Sequence, residues 1–140
     1  MRIKSLYHNF IKPVKSTKGA GAFDIYMPLP GSVIGAIPTK VGLGFAAEVP
    51  EGHVALILPR SGAGSKHGVE LNNTCGVIDS DYRGEWIANI KTKSGAHFNW
   101  ESGDRLLQFI IVPVINVTLE LVSELDSTER GSGGFGSTGM

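Results

Sequence analysis

Glycine or proline falls so often along this chain that a helix of ordinary length has almost nowhere to form. There are 19 glycines and 7 prolines in 140 residues, and each is costly in a helix interior. Short strands fit between the breaks. The runs "FDIYMP" (23–28), "GFAAEVP" (44–50), "HVALILP" (53–59), "GVELNN" (68–73), "GVID" (76–79), "EWIANIKT" (85–92) and "RLLQFIIVPVINVTLELV" (105–122) are apolar or alternating. They are rich in β-branched residues and bounded by turn formers. So many short runs at close spacing predict an all-β antiparallel sandwich or barrel. One short helical turn is expected in "SGAGSKHG" (61–68). Near the end, Val117, Leu119, Leu121 and Leu125 alternate with Asn116, Thr118, Glu120 and Glu124, the period of a strand with one buried face. That strand leads into a glycine-rich arm, so exchange of the arm between protomers is expected.

The length fits one core and one domain. Its boundaries are drawn at 1–128, with 129–140 as a separate glycine-rich segment. Thirteen basic residues balance 13 acidic ones. No general field therefore draws the chain to nucleic acid or to an anionic membrane, and neither is expected as a partner. Cys75 is alone, which excludes a disulfide within the chain and fits a reducing compartment. No continuous apolar stretch marks a signal peptide or a membrane span, so a cytoplasmic location is expected. His8, His53, His67 and His97 are scattered and do not form a zinc or iron set. A metal would have to arrive with oxygen ligands.

Four stretches carry residue types suited to chemistry. "LPRSGAGSKHG" (58–68) puts Arg60 and Ser61 directly after an apolar strand, where a guanidinium fork suits phosphate oxygens. Ser61 is not read as a nucleophile, because Pro59 stands where G-x-S-x-G requires glycine. "GVIDSDYRGEW" (76–86) offers Asp79 and Asp81, two apart. On an extended strand they face one way and make a base or metal site; in a turn they bond their own backbone. "ESGDRLLQF" (101–109) reads as a turn in which Asp104 and Arg105 pair, followed by Gln108, an amide that needs partners if it faces inward. The terminal "ERGSGGFGSTGM" (129–140) contains a formal G-x-G-x-x-G but lacks the helix and later acid of a dinucleotide fold. Its glycine amides can still wrap a phosphate.

Taken together and in order, "AGAFDIYMP" (20–28), "PRSGAGSKHG" (59–68), "GVIDSDYRGE" (76–85), "GDRLLQF" (103–109) and "RGSGGFGSTG" (130–139) resemble the five motifs of the trimeric dUTP pyrophosphatase (dUTPase) family. The resemblance implies an antiparallel β jelly roll or distorted barrel, a homotrimer with active sites between subunits, and hydrolysis of dUTP to dUMP and pyrophosphate. Mg²⁺ would be held mainly by the substrate phosphates. By the same resemblance Asp79 orients and deprotonates the attacking water, and Tyr82 packs under the deoxyribose and excludes a 2′-hydroxyl. Asn73, helped by the main chain of Gly76, Val77 and Ile78, reads uracil from a β-hairpin. Asp24 holds water on Mg²⁺. Arg60, Ser61 and Gly62 contact the phosphates, and Gln108 stands on the α-phosphate side. Arg130 clamps the γ-phosphate, Phe135 stacks on uracil, and Gly136, Ser137 and Thr138 close over the triphosphate.

Three positions in two motifs depart from the family pattern. Ala22 replaces a usual glycine, and Ala63-Gly64 replaces a larger apolar residue and an alanine, which predicts a looser helical turn after Ser61. Trp100 is expected to be a packing residue. Two other readings are a dCTP deaminase, which shares the fold, and a regulatory module that binds dUTP and then a protein partner.

Overall fold

A computed structural model describes residues 1–134; Phe135, Gly136, Ser137 and Thr138 lie outside the described residues. In chain order the elements are β1 (Ile3–Ser5), β2 (Phe23–Ile25), β3 (Gly31–Ile34), β4 (Thr39–Gly42), β5 (Phe45–Ala47), β6 (His53–Pro59), α1 (Ser61–His67), β7 (Glu70–Leu71), β8 (Gly76–Ile78), β9 (Ile87–Lys91), β10 (His97–Trp100) and β11 (Leu107–Pro113). All strand pairings are antiparallel. The expected all-β, jelly-roll-like architecture is present, though its sheets do not close into a barrel among the described residues.

The centre is the pair β6 and β11, matched along their full length from His53 opposite Pro113 to Pro59 opposite Leu107. Their apolar residues alternate in and out, so Ala55, Ile57, Leu107 and Phe109 are buried. β2 adds to the free edge of β11 and β8 to that of β6, giving the order β2-β11-β6-β8. A three-stranded sheet β4-β9-β7 and the pairs β1-β5 and β10-β3 surround it. Between them Trp86 sits fully buried, its ring 4.9 Å from Phe45 and 5.1 Å edge-on from Phe109. Each such side chain removed from water contributes about 1.5–3 kcal/mol.

Four strands, β1, β3, β4 and β10, lie outside the runs read from sequence. They are two-stranded or edge elements with mixed polarity, so no apolar period marks them. Trp100, on β10, is the packing residue expected: it is buried and its indole N–H donates to the Leu29 carbonyl at 3.0 Å. Its ring lies against the Gly31 Cα on the paired strand, where a Cβ would overlap it. Gly31→Ala is therefore expected to lower stability by about 1–3 kcal/mol, as overpacking does; a thermal melt checks this.

The helix is longer than the single turn expected. α1 spans seven residues and its sequel Gly68 adopts φ 65°, closing the helix with the Gly68 N–H donating to the Gly64 carbonyl at 3.0 Å and the Val69 N–H to the Ala63 carbonyl at 3.1 Å. Ala63 is the residue that the helix buries. The expected strand over 116–125 is absent from the chain taken alone. Val117, Leu119, Leu121 and Leu125 are 72–101% exposed and pair with nothing among the described residues. A strand needs a partner for its backbone, and this segment finds none within its own described fold.

Candidate functional site

β2 and β11 place Asp24 opposite Gln108, and β6 places Leu58 on the other side of Gln108. Arg60 and Ser61 follow at the end of β6. Asp24, Gln108, Arg60 and Ser61, with Ser16, Ala20, Gly21 and Ala22, line a cavity of about 300 Å³. Ala22 therefore sits in the wall of the pocket and contributes no polar group to it.

Asp24 is buried, and a carboxylate removed from water needs donors on its lone pairs. It has three. Arg60 Nε lies 2.8 Å from Oδ1, Arg105 Nη1 donates to Oδ2 at 3.1 Å, and the Ser16 hydroxyl donates to Oδ2 at 2.7 Å. Arg60 Nη1 also donates to the Arg105 carbonyl at 3.1 Å. Gln108 finds the partner an inward amide requires, donating to the Pro59 carbonyl at 3.1 Å. The result is a cavity with guanidinium, hydroxyl and amide groups in fixed positions, chemically matched to phosphate oxygens.

The pairing of Asp104 with Arg105 is not formed. Asp104 instead accepts from the Glu101 N–H at 2.8 Å, while Arg105 crosses to Asp24. Both residues stand before β11 begins at Leu107, and the buried Asp24 carboxylate competes for the Arg105 guanidinium. Nothing in the sequence marked Ser16.

The second group of candidate residues lies elsewhere. β8 pairs with β6 so that Gly76 faces Ile57 and Ile78 faces Ala55. Gly76 comes so close that a Cβ would stand 3.1 Å from the Ile57 Cβ. Asp79 thus emerges beside Val54, six residues along β6 from Arg60. At 3.3 Å per residue that is about 20 Å. Asp79 and Asp81 do not share a strand face: the Tyr82 N–H donates to the Asp79 carbonyl at 3.2 Å, making a turn, and both carboxylates are exposed. Tyr82 is 42% exposed, its hydroxyl tied to the Glu85 carbonyl at 3.0 Å.

The hairpin expected to carry Asn73 takes a different form. β7 pairs with β9 and β8 with β6, so residues 72–75 turn between two sheets. Thr74 takes φ 66°, and the Asn73 amide donates to the Cys75 carbonyl at 2.9 Å. A side chain bonded to its own turn in this way stabilises a tight reversal without strand pairing. Arg130 is exposed, with Nε donating to Gly133 O at 2.9 Å, and is not part of the Asp24 pocket lining.

As a metal site, the Asp24 pocket offers one carboxylate whose oxygens already face two guanidinium groups and a hydroxyl. Among the described residues no three His, Cys, Asp or Glu side chains are grouped to hold a metal. That donor set fits Mg²⁺ brought by a polyphosphate and reached from Asp24 through water, and does not fit a cage built from protein ligands alone. No described helix is long and apolar enough to cross a membrane.

Comparison with known proteins gives the family and the fold. The deoxyuridine 5′-triphosphate nucleotidohydrolase of Gamma-proteobacterium EBAC31A08 is 41% identical, over 91% of this chain and 94% of that protein. The enzyme of the same name from Pseudomonas fluorescens is 42% identical, over 94% and 89%. The Staphylococcus bacteriophage 80alpha dUTPase, solved with dUPNHPP, superposes with a TM-score of 0.91 at 27% identity, covering 99% of this chain and 98% of that one. The dUTPase family model itself matches residues 8–139, a span that includes the whole Asp24 pocket, the Asp79 turn and Arg130; the chain belongs to the dUTPase family.

Proposed function

We propose that this chain is a dUTP diphosphatase that works as a homotrimer, with each active site assembled from different subunits. The observation that carries this reading is the separation within one chain: a polar pocket suited to phosphate at one end of β6, and Asp79, Tyr82 and the Asn73 turn about 20 Å away at the other. One chain cannot bring both to one nucleotide. A second copy can, by presenting its Asp79 end to the first copy's phosphate pocket. The exposed apolar residues of 114–125 are suited to cover a neighbouring subunit.

In this site Arg60, Ser61, Gly62 and Gln108 bind and orient the triphosphate. Asp79 of another subunit accepts a proton from water as that water's oxygen forms a bond to the α-phosphorus. The bond to the α–β bridging oxygen breaks, and the electron pair leaves with pyrophosphate. Tyr82 packs against the sugar face, and Asn73 with the Gly76–Ile78 main chain selects uracil. Asp24 would hold, through water, a Mg²⁺ brought with the phosphates, which would offset part of their charge. Arg130, Phe135, Gly136, Ser137 and Thr138 close the site and exclude water.

The test is pyrophosphate release with Mg²⁺ from dUTP, dCTP, dTTP and UTP offered in parallel. dUTP is expected to be strongly preferred, since a methyl on the base and a hydroxyl on the sugar both meet atoms of the site. Ammonia release from dCTP faster than dUTP hydrolysis would establish the deaminase. Tight dUTP binding with no hydrolysis by a folded protein would establish the regulatory module.

A further inference from the structure

Asp24 is the one buried charged residue among the described residues, so the geometry of the phosphate pocket depends on what holds its carboxylate. Two of its three partners are long, partly exposed side chains: Arg60 is 31% and Arg105 41% accessible. Water weakens their attraction, and their stems have many rotamers. Ser16 is also exposed to water, but it has no such stem. Its side chain has a single heavy-atom torsion, and it stands in a bend two residues after an isolated bridge, in which the Asp24 N–H donates to the Val14 carbonyl at 2.8 Å and the Val14 N–H to the Asp24 carbonyl at 3.3 Å. The 2.7 Å bond from its hydroxyl to Oδ2 therefore limits a carboxylate torsion that is otherwise broad.

We infer that Ser16, which lies outside all five motifs, is a positioning residue that aligns Arg60 for phosphate by fixing the plane of the Asp24 carboxylate. With Oδ2 held by Ser16, Oδ1 stays on Arg60 Nε, and Arg60 Nη1 stays on the Arg105 carbonyl. The guanidinium is then held at two of its nitrogens before any ligand arrives, and its unused N–H donors form a prearranged edge for a phosphate oxygen. Prearrangement of this kind lowers the ordering cost of binding. The inference rests on the reading of this pocket as the phosphate site.

Ser16→Ala, Ser16→Thr and the neighbouring control Thr17→Ala, each as the full-length protein, are compared by titration calorimetry with pyrophosphate and Mg²⁺, by dUTP kinetics and by thermal melting. In Ser16→Ala the pyrophosphate Kd rises about tenfold, the size expected for one hydrogen bond to a charged group. KM for dUTP rises with it more than kcat falls, because Arg60 meets phosphate before and during reaction. Ser16→Thr keeps the hydroxyl and stays within about twofold of the parent, as does Thr17→Ala. Unchanged pyrophosphate affinity in Ser16→Ala, or a Ser16→Thr protein as weak as Ser16→Ala at an unaltered melting temperature, overturns the inference. A parent protein that binds pyrophosphate without hydrolysing dUTP, with Ser16→Ala still weakening that binding, overturns the proposed reaction and supports the role of Ser16. A folded parent that does not bind pyrophosphate overturns both.

Discussion

Asp79→Asn is expected to retain dUTP binding and to lose turnover by at least about 10²-fold, the usual contribution of a positioned general base. Asparagine keeps the size and hydrogen-bonding reach of the side chain but cannot take a proton from water. Asp79 is exposed and its turn is closed by main-chain atoms, the Tyr82 N–H on the Asp79 carbonyl. The substitution therefore leaves the fold intact, and the loss falls on kcat. Single-turnover kinetics beside a binding titration with a non-hydrolysable dUTP analogue separates the two quantities. Near-parental turnover would remove Asp79 from the role of base.

The second large effect is recovery of activity on mixing two inactive proteins. Arg60→Ala removes the guanidinium from one end of β6, and Asp79→Asn disables the other end. If a site draws Arg60 from one subunit and Asp79 from another, subunits unfolded and refolded together in equal amounts produce intact sites in about a quarter of positions, by random assembly. Activity then rises from near zero to about that fraction of the parent level. If each chain carried its own complete site, the mixture would stay as inactive as its components. Sedimentation of the mixture confirms that oligomers have reassembled, so a negative result counts against shared sites.

Much of the local structure was legible because its causes are local. The alternation in 53–59 and 105–113 forecast the central strands β6 and β11, and glycine and proline forecast the turns between short strands. Arg60 and Ser61 were recognisable at a strand end because a guanidinium and a hydroxyl beside a helix start suit phosphate whatever surrounds them. The Trp100 packing role followed from size and apolarity alone. The edge strands β1, β3, β4 and β10 were not legible, since their pairing is set by neighbours distant in sequence.

The sequence by itself determined an all-β chain with a solvated, charge-balanced exterior, and it contained the residues of the candidate site in recognisable motifs. Only the tertiary structure decided how they meet. Sheet register put Asp24 beside Gln108 and drew Arg105 away from Asp104. The Val14 bridge brought Ser16 onto the Asp24 carboxylate. The pairing of β8 with β6 left Asp79 at the far end of the sheet from Arg60. The physical reason is that strand alternation and turns depend on a few consecutive residues, whereas register matches backbone hydrogen bonds between strands far apart in the chain. No local pattern encodes the offset between two such strands, and that offset separates the two groups of candidate residues.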